Sequence, residues 1–276
     1  MLKRKRVIAM RTVESPEVFL ISAPTLKWDA IERYLTKVED RTGAPALDWV
    51  SVVGKESDGE ALVEFGGRLC YRSWVPGANA NVTKIREDSK DYLGNIVKSG
   101  HGSVLEHANY SFIFDDVSRV FTHEMVRHRA GVAVSQESMR FVRLTDIPFW
   151  FPEWARNDSA LMAQSVILLE QIEKHQQWMA RHFKLDDEGV PFSEKKHKTS
   201  FMRRFAPDGV ATGMLCTINI RALRHIIYMR TALGAEEEIR IVFDEVARLA
   251  LEATPNLMQD YSPNENQEWI PEFLKV

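Results

Sequence analysis

The sequence predicts a mixed chain of the α/β or α+β class, built as a single domain over residues 1–276. Two β-rich segments, Tyr110–Phe114 and Gly213–Asn219, are set among longer stretches of helical periodicity. No internal repeat, low-complexity tract or linker divides the chain. Its composition, 45% hydrophobic and 27% charged, is that of an ordinary globular protein able to bury a sizeable core.

Each element has its own signal. Val18–Ile21 is wholly apolar and reads as a short buried strand. Trp28 to about Glu39 is helical, with Ile31, Tyr34 and Leu35 on one side, and Ala61–Tyr71 repeats Leu62, Phe65 and Leu69 at helical spacing. Pro76-Gly77-Ala78-Asn79 then brings turn chemistry, and Asp91–Lys98 is a short helix ended by Gly100. Tyr110–Phe114 is the clearest strand. Ser118 is an N-cap for a helix running to about Arg129, after which Ala130–Ser138 reads as a loop. Ala160 to about Phe183 is a long helix, Pro191–Lys198 a polar loop and Gly213–Asn219 a strand. Two helices follow, Arg221 to about Ala232 and Ala235–Ala253; the second carries Ile239, Val242, Phe243, Val246 and Ala250 as a stripe.

Several function classes are disfavoured. A net charge of −3 gives no global field toward nucleic acid or an anionic membrane, so any bound anion needs a local basic cluster. The start, MLKRKRVIAM, lacks the apolar stretch of a signal peptide and reads as a solvated or subunit-contacting terminus. No run approaches the ~18–20 apolar residues of a membrane span, so a cytoplasmic location is expected. Cys70 and Cys216 have no metal or disulfide spacing and read as small buried hydrophobes. There is no G-x-G-x-x-G, Walker or G-x-S-x-G motif. His123-Glu124 fails as a zinc-protease helix because Arg127 stands where the second histidine is required, and His101 with His107 lacks a third ligand. No metal site is expected.

The positive signal lies in Arg119–Arg140. Arg119, His123 and Arg127 recur every four residues and share one helix face, while Phe121 and Met125 turn toward a core. Arginines beside serine and glutamine suit phosphates, through bidentate charge-assisted bonds. The pattern equally fits a surface ion-pair network. Asn219, Arg221, His225 and Arg230, with Arg203-Arg204 upstream, tip the balance toward a polyanion.

These residues also resemble a known family, the flavin-dependent (alternative) thymidylate synthases. His101-Gly-Ser103-Val-Leu-Glu106-His107 is similar to that family's H-x-[ST]-x-x-E-H segment. Arg127-His128-Arg129 followed by Ser135-Gln136-x-Ser138-x-Arg140 resembles its R-H-R signature with the S-x-R loop. Arg203-x3-Pro207, Thr212, Asn219-x-Arg221 and Arg230 continue the match, which covers roughly residues 95–260.

The resemblance implies a central sheet with flanking helices and a homotetramer with active sites shared between subunits. It implies FAD held by Ser103, Arg127, His128, Arg129, Asn219, Arg221 and His225. It implies a pyrimidine nucleotide, dUMP, bound by Glu124, Arg127, Gln136, Glu137, Ser138, Met139 through its backbone, Arg140, Arg203 and Arg230. Arg230 is the catalytic residue it implies, stabilising charge on the uracil so that C5 becomes nucleophilic. NADPH and 5,10-methylenetetrahydrofolate are the implied co-substrates, and neither cysteine is needed as a nucleophile. Two departures from the family pattern, Glu124 in place of a glutamine and Ser138 nine rather than eight positions after Arg129, fall beside the nucleotide residues. They leave UMP as an alternative substrate, as in antibiotic-pathway methylases, and a hydroxymethylated product as a further one.

Overall fold

A computed structural model describes residues 11–13, 15–54, 57–82, 84–141 and 148–275; the basic start lies outside them. In chain order the elements are β1 (Thr12–Val13), β2 (Glu17–Ser22), α1 (Trp28–Thr42), α2 (Asp48–Val52), α3 (Asp58–Tyr71), α4 (Ser89–Ser99), β3 (Asn109–Ser118) and α5 (Arg119–Met125). There follow β4 (Val132–Gln136), β5 (Phe149–Trp150), α6 (Glu153–Arg156), α7 (Ser159–His182) and α8 (Phe192–Met202). The chain closes with β6 (Ala211–Asn219), α9 (Ile220–Thr231), α10 (Glu237–Ala253), β7 (Tyr261–Pro263) and β8 (Trp269–Pro271). Short 3-10 turns occupy Gly102–His107 and Arg203–Phe205. The mixed α/β class is as the sequence predicts.

The chain forms two compact units. The first holds the described residues within Met1–Val18, Ile113–Arg127 and Val134–Leu215; the second holds Phe19–Phe112, His128–Ala133 and Cys216–Val276. The main sheet has the order β2-β3-β6-β4, and its strands run from one unit into the other. The two inner strands carry the apolar alternation legible in the sequence, with Phe112, Phe114, Cys216 and Ile218 fully buried. Edge strand β2 lies at the expected place but is not buried, since Phe19 and Ile21 are exposed. An edge strand has a neighbour on one side only, so its apolar residues are not enclosed within the chain.

In the second unit, α1, α2 and α3 enclose an aromatic core of Trp49, Trp74, Ile31, Leu35 and Val38, with Trp28 and Phe65 packed against it. Trp49 and Trp74 meet edge-to-face at 5.3 Å. The acid within this core is paired: Glu64 Oε1 accepts from Trp49 Nε1 at 2.8 Å and from Arg68 Nε at 2.7 Å. Helix α10 buries Ile239, Val242, Phe243, Val246 and Ala250, the stripe read from its spacing. Each of the four larger side chains contributes roughly 1.5–3 kcal/mol by leaving water. Arg224 of α9 is wholly buried and forms a two-pronged ion pair with Asp260, at 2.7 and 2.9 Å.

In the first unit β1 pairs in parallel with β5, Thr12 opposite Phe149 and Val13 opposite Trp150. Helix α8 corrects the expected loop at Pro191–Lys198. It lacks an apolar stripe, and its supports are a Glu194–Lys198 pair at 2.5 Å and the burial of Thr199 and Met202. Among the described residues, no helix is long and apolar enough to cross a membrane.

Candidate active site

Helix α5 begins as expected, with Ser118 Oγ accepting from Phe121 N at 3.1 Å, and buries Phe121 and Met125. It stops at Met125 instead of running to Arg129. Arg127 therefore does not continue the helical face of Arg119 and His123. Tertiary contacts of residues 128–131 outweigh helix propensity here.

Those contacts lie in the second unit. Gly131 takes φ +70°, and its carbonyl accepts from Asn219 N at 3.0 Å. A Cβ on Gly131 would sit 2.2 Å from Asn219 Nδ2, so this approach requires glycine. Asn219 is buried and caps α9, its Oδ1 accepting from Ala222 N at 2.9 Å. At the other end of the segment, Arg230 Nε donates to His128 Nε2 at 2.8 Å. An imidazole nitrogen accepts only when unprotonated, so this contact places the His128 proton on Nδ1.

The residues on α9 divide into two places. Arg221, in its first turn, lies against the Gly102–His107 turn and donates to Glu106 Oε1 at 2.6 Å. Gly102 makes room for it, since a Cβ there would come within 2.8 Å of Arg221 Nε. Ser103 on the same turn and His225, one helical turn after Arg221, are both exposed. Arg230 is nine residues on, about 13 Å along the axis and on the opposite side of the helix. Arg221 and Arg230 thus serve different positions. Gly102, Glu106 and Gly131 had no assigned role in the sequence; the signals were the glycine one residue before Ser103 and the place of Glu106 in the His101–His107 motif.

The expected loop after Arg129 contains strand β4; in the first unit Gln136 ends that strand and Glu137 follows it, both side chains held by neighbours. Gln136 Nε2 donates to Thr122 Oγ1 of α5 at 3.1 Å. Glu137 Oε2 accepts from Gly213 N at 3.2 Å and Thr212 Oγ1 at 3.4 Å, so its carboxylate is engaged by β6. Ser138 turns the chain, its carbonyl accepting from Phe141 N at 2.9 Å, and Thr199 Oγ1 holds the Arg140 carbonyl at 2.7 Å. Met139 and Arg140 are half-buried, as is Glu124, while Arg127 and Arg203 are exposed. Arg119 Nη1 is buried without a hydrogen-bond partner among the described residues. Burial pulls the Arg119 pKa down; Asp208 opposes this and Arg203 adds to it. A buried guanidinium donor left open beside a second arginine has the chemistry of an anion site.

Cys216 is buried, which pushes its thiol up to about 12 and makes it inert at neutral pH. Cys70 is exposed, against the expectation of burial.

The family described as "Thymidylate synthase complementing protein" matches residues 51–256. A flavin-dependent thymidylate synthase of Mycolicibacterium gilvum is 32% identical over 222 residues, covering 79% of this chain and 84% of the relative. One from Mycobacteroides abscessus is 31% identical, over 80% and 86%.

The chain belongs to the flavin-dependent thymidylate synthase family.

It is an enzyme of the methyltransferase class. The fold agrees: a UMP/dUMP methylase, PolB from Streptomyces cacaoi, bound with 5-Br UMP, superposes with a TM-score of 0.55 over 90% of this chain and 94% of the methylase. Sequence identity in that superposition is 16%. The same protein bound with 5-Br dUMP superposes equally. The family match passes through both compact units of the chain.

Proposed function

We propose that this enzyme methylates C5 of dUMP to give dTMP, with FAD as cofactor, methylenetetrahydrofolate as carbon donor and NADPH as reductant. The observation that carries this reading is the Arg230–His128 contact, in which a member of the R-H-R signature fixes a permanent cation. A guanidinium held in place favours the negative charge that develops on uracil N3 and O4, which makes C5 the nucleophile. Family membership supplies the chemistry to which that cation is matched.

The donor set of the second unit fits a flavin dinucleotide: a hydroxyl at Ser103, guanidinium groups at Arg129 and Arg221, and imidazoles at His128 and His225. Asn219 fixes the first turn of α9 beside them. With Arg127, these residues would hold FAD, which supplies the hydride that completes the methyl group when bound and reduced. In the first unit, the open donor of Arg119 beside Arg203 fits a nucleotide phosphate. Glu124, Arg127, Gln136, Glu137, Ser138, Met139, Arg140 and Arg203, with Arg230, would bind the nucleotide. Glu137 would act mainly by holding β4 to β6, given its bonds to Gly213 and Thr212. We further infer one family domain across both units and a cytoplasmic homotetramer with shared sites; the exposed Phe19 and Ile21 of β2 support an interface.

Release of tritium from C5-labelled dUMP by the FAD-loaded protein tests the reaction. UMP methylation is the second reading, favoured by the longer loop that sets Ser138 nine residues after Arg129, with Glu124 in place of glutamine beside it. Both nucleotides are assayed side by side: turnover of UMP alone would replace the first reading, and turnover of neither would overturn both. A hydroxymethylated product is distinguished by the mass of the nucleotide formed.

A further inference from the structure

The second unit contains another basic site that the residues above do not use. A cavity of about 290 Å³ lies against α3 and α4, lined in part by Tyr71, Lys84, Arg86, Tyr92, Asn95 and His101. Among the described residues, no aspartate or glutamate lines it. Arg68, at its base, is already neutralised by Glu64 at 2.7 Å, and its remaining groups donate to the Ser73 and Arg86 carbonyls at 2.7 Å each. Lys84 and Arg86 are different: both are exposed, and neither forms an ion pair among the described residues. The cavity therefore offers two cations with no ion-pair partner among the described residues, above a floor whose own charge is balanced.

Its walls are aromatic as well as basic. The Tyr71 and His101 rings lie 5.7 Å apart, and the Arg68 guanidinium covers the Tyr92 ring at 4.3 Å. Asn95 and Ser99 add neutral hydrogen-bonding groups. A half-open cavity of this size takes part of a larger ligand rather than the whole of one. His101 is directly followed by Gly102 and Ser103, so one wall continues into the turn that lies against Arg221.

We propose that this cavity receives the anionic end of a co-substrate, carboxylates or phosphates carried at a distance from the reacting group, with Lys84 and Arg86 as the selecting charges. This rests on the methylation reading in one respect, since that reaction calls for two co-substrates with anionic extensions. Glutamyl carboxylates and a dinucleotide phosphate share the required chemistry, and the two sources separate by experiment.

The test is a calorimetric titration of the FAD-loaded protein and its K84Q/R86Q variant with tetrahydrofolate monoglutamate, tetrahydrofolate triglutamate, NADP⁺ and NAD⁺. Both side chains are exposed, so the variant keeps the fold. Loss of two partly solvated charge contacts is expected to weaken one ligand by roughly tenfold. A loss greater for triglutamate than monoglutamate assigns the site to the glutamyl carboxylates; a loss for NADP⁺ greater than for NAD⁺ assigns it to the phosphate. Unchanged affinity for all four overturns the proposal. Tritium release from C5-labelled dUMP, measured on the same wild-type preparation, separates that failure from a failure of the methylation reading.

Discussion

Arg230 makes a contact whose chemistry is specific: its guanidinium donates to an unprotonated ring nitrogen of His128. Arg230→Ala is expected to leave the flavin absorbance of the purified protein intact. Tritium release from dUMP should fall by about 10³-fold, the scale of losing a fixed charge-stabilising donor. A near-normal rate would remove Arg230 from this role. Gly131→Ala tests the segment behind it. The added Cβ meets the capping side chain of Asn219, and φ +70° strains any L residue, costing on the order of 1–3 kcal/mol. Lowered urea stability together with weakened FAD retention is the expected outcome. The two thiols separate by burial: iodoacetamide should modify Cys70 in the native protein and reach Cys216 only after unfolding, as peptide mass mapping would show. The sequence made Arg127, His128, Arg129 and Arg230 legible because runs of cations are conspicuous. It did not show that Glu106 and Gly102 receive Arg221, because that depends on which turn packs against the helix.

Helix α9 and the β7–β8 hairpin are joined by charged groups that periodicity alone does not show. Asp260→Asn would leave Arg224 buried with its two-pronged partner lost, at a cost of roughly 3–5 kcal/mol, measurable by chemical denaturation. Glu268 ties the same hairpin to the end of α9. Its pKa is lowered, first by the Asn264 side chain at 2.7 Å and then by Leu233 N at 2.9 Å. A carboxylate depressed in the folded state stabilises above its unfolded pKa, and that stability is lost as pH falls through the folded value. Glu268→Gln should therefore lower stability at neutral pH, with the difference from wild type closing in acid; a gap that stays constant would contradict the pairing. The strong elements were readable where a stripe met a core, as in α1, α3 and α10. Strand β4 and helix α8 were not. The first is a short edge strand after a glycine, and the second is a polar helix held at Thr199 and Met202.

At the scale of the molecule, Phe19 and Ile21 on an edge strand leave apolar surface exposed on the single chain. Light scattering after size exclusion should give four times the 31.7 kDa chain mass, and Phe19→Asp with Ile21→Asp should lower it; a monomeric wild type would exclude shared sites. The division into two units was not legible, since no linker marks it. The chain passes between the units at 18–19, 112–113, 127–128, 133–134 and 215–216, four times within a strand of the main sheet. No single cut can release either unit as a continuous piece, so limited proteolysis should yield no autonomous fragment. The same threading bears on inheritance. A gene segment encoding one unit alone cannot be copied, fused or exchanged in one recombination event, so this architecture passes between genomes as a whole or not at all.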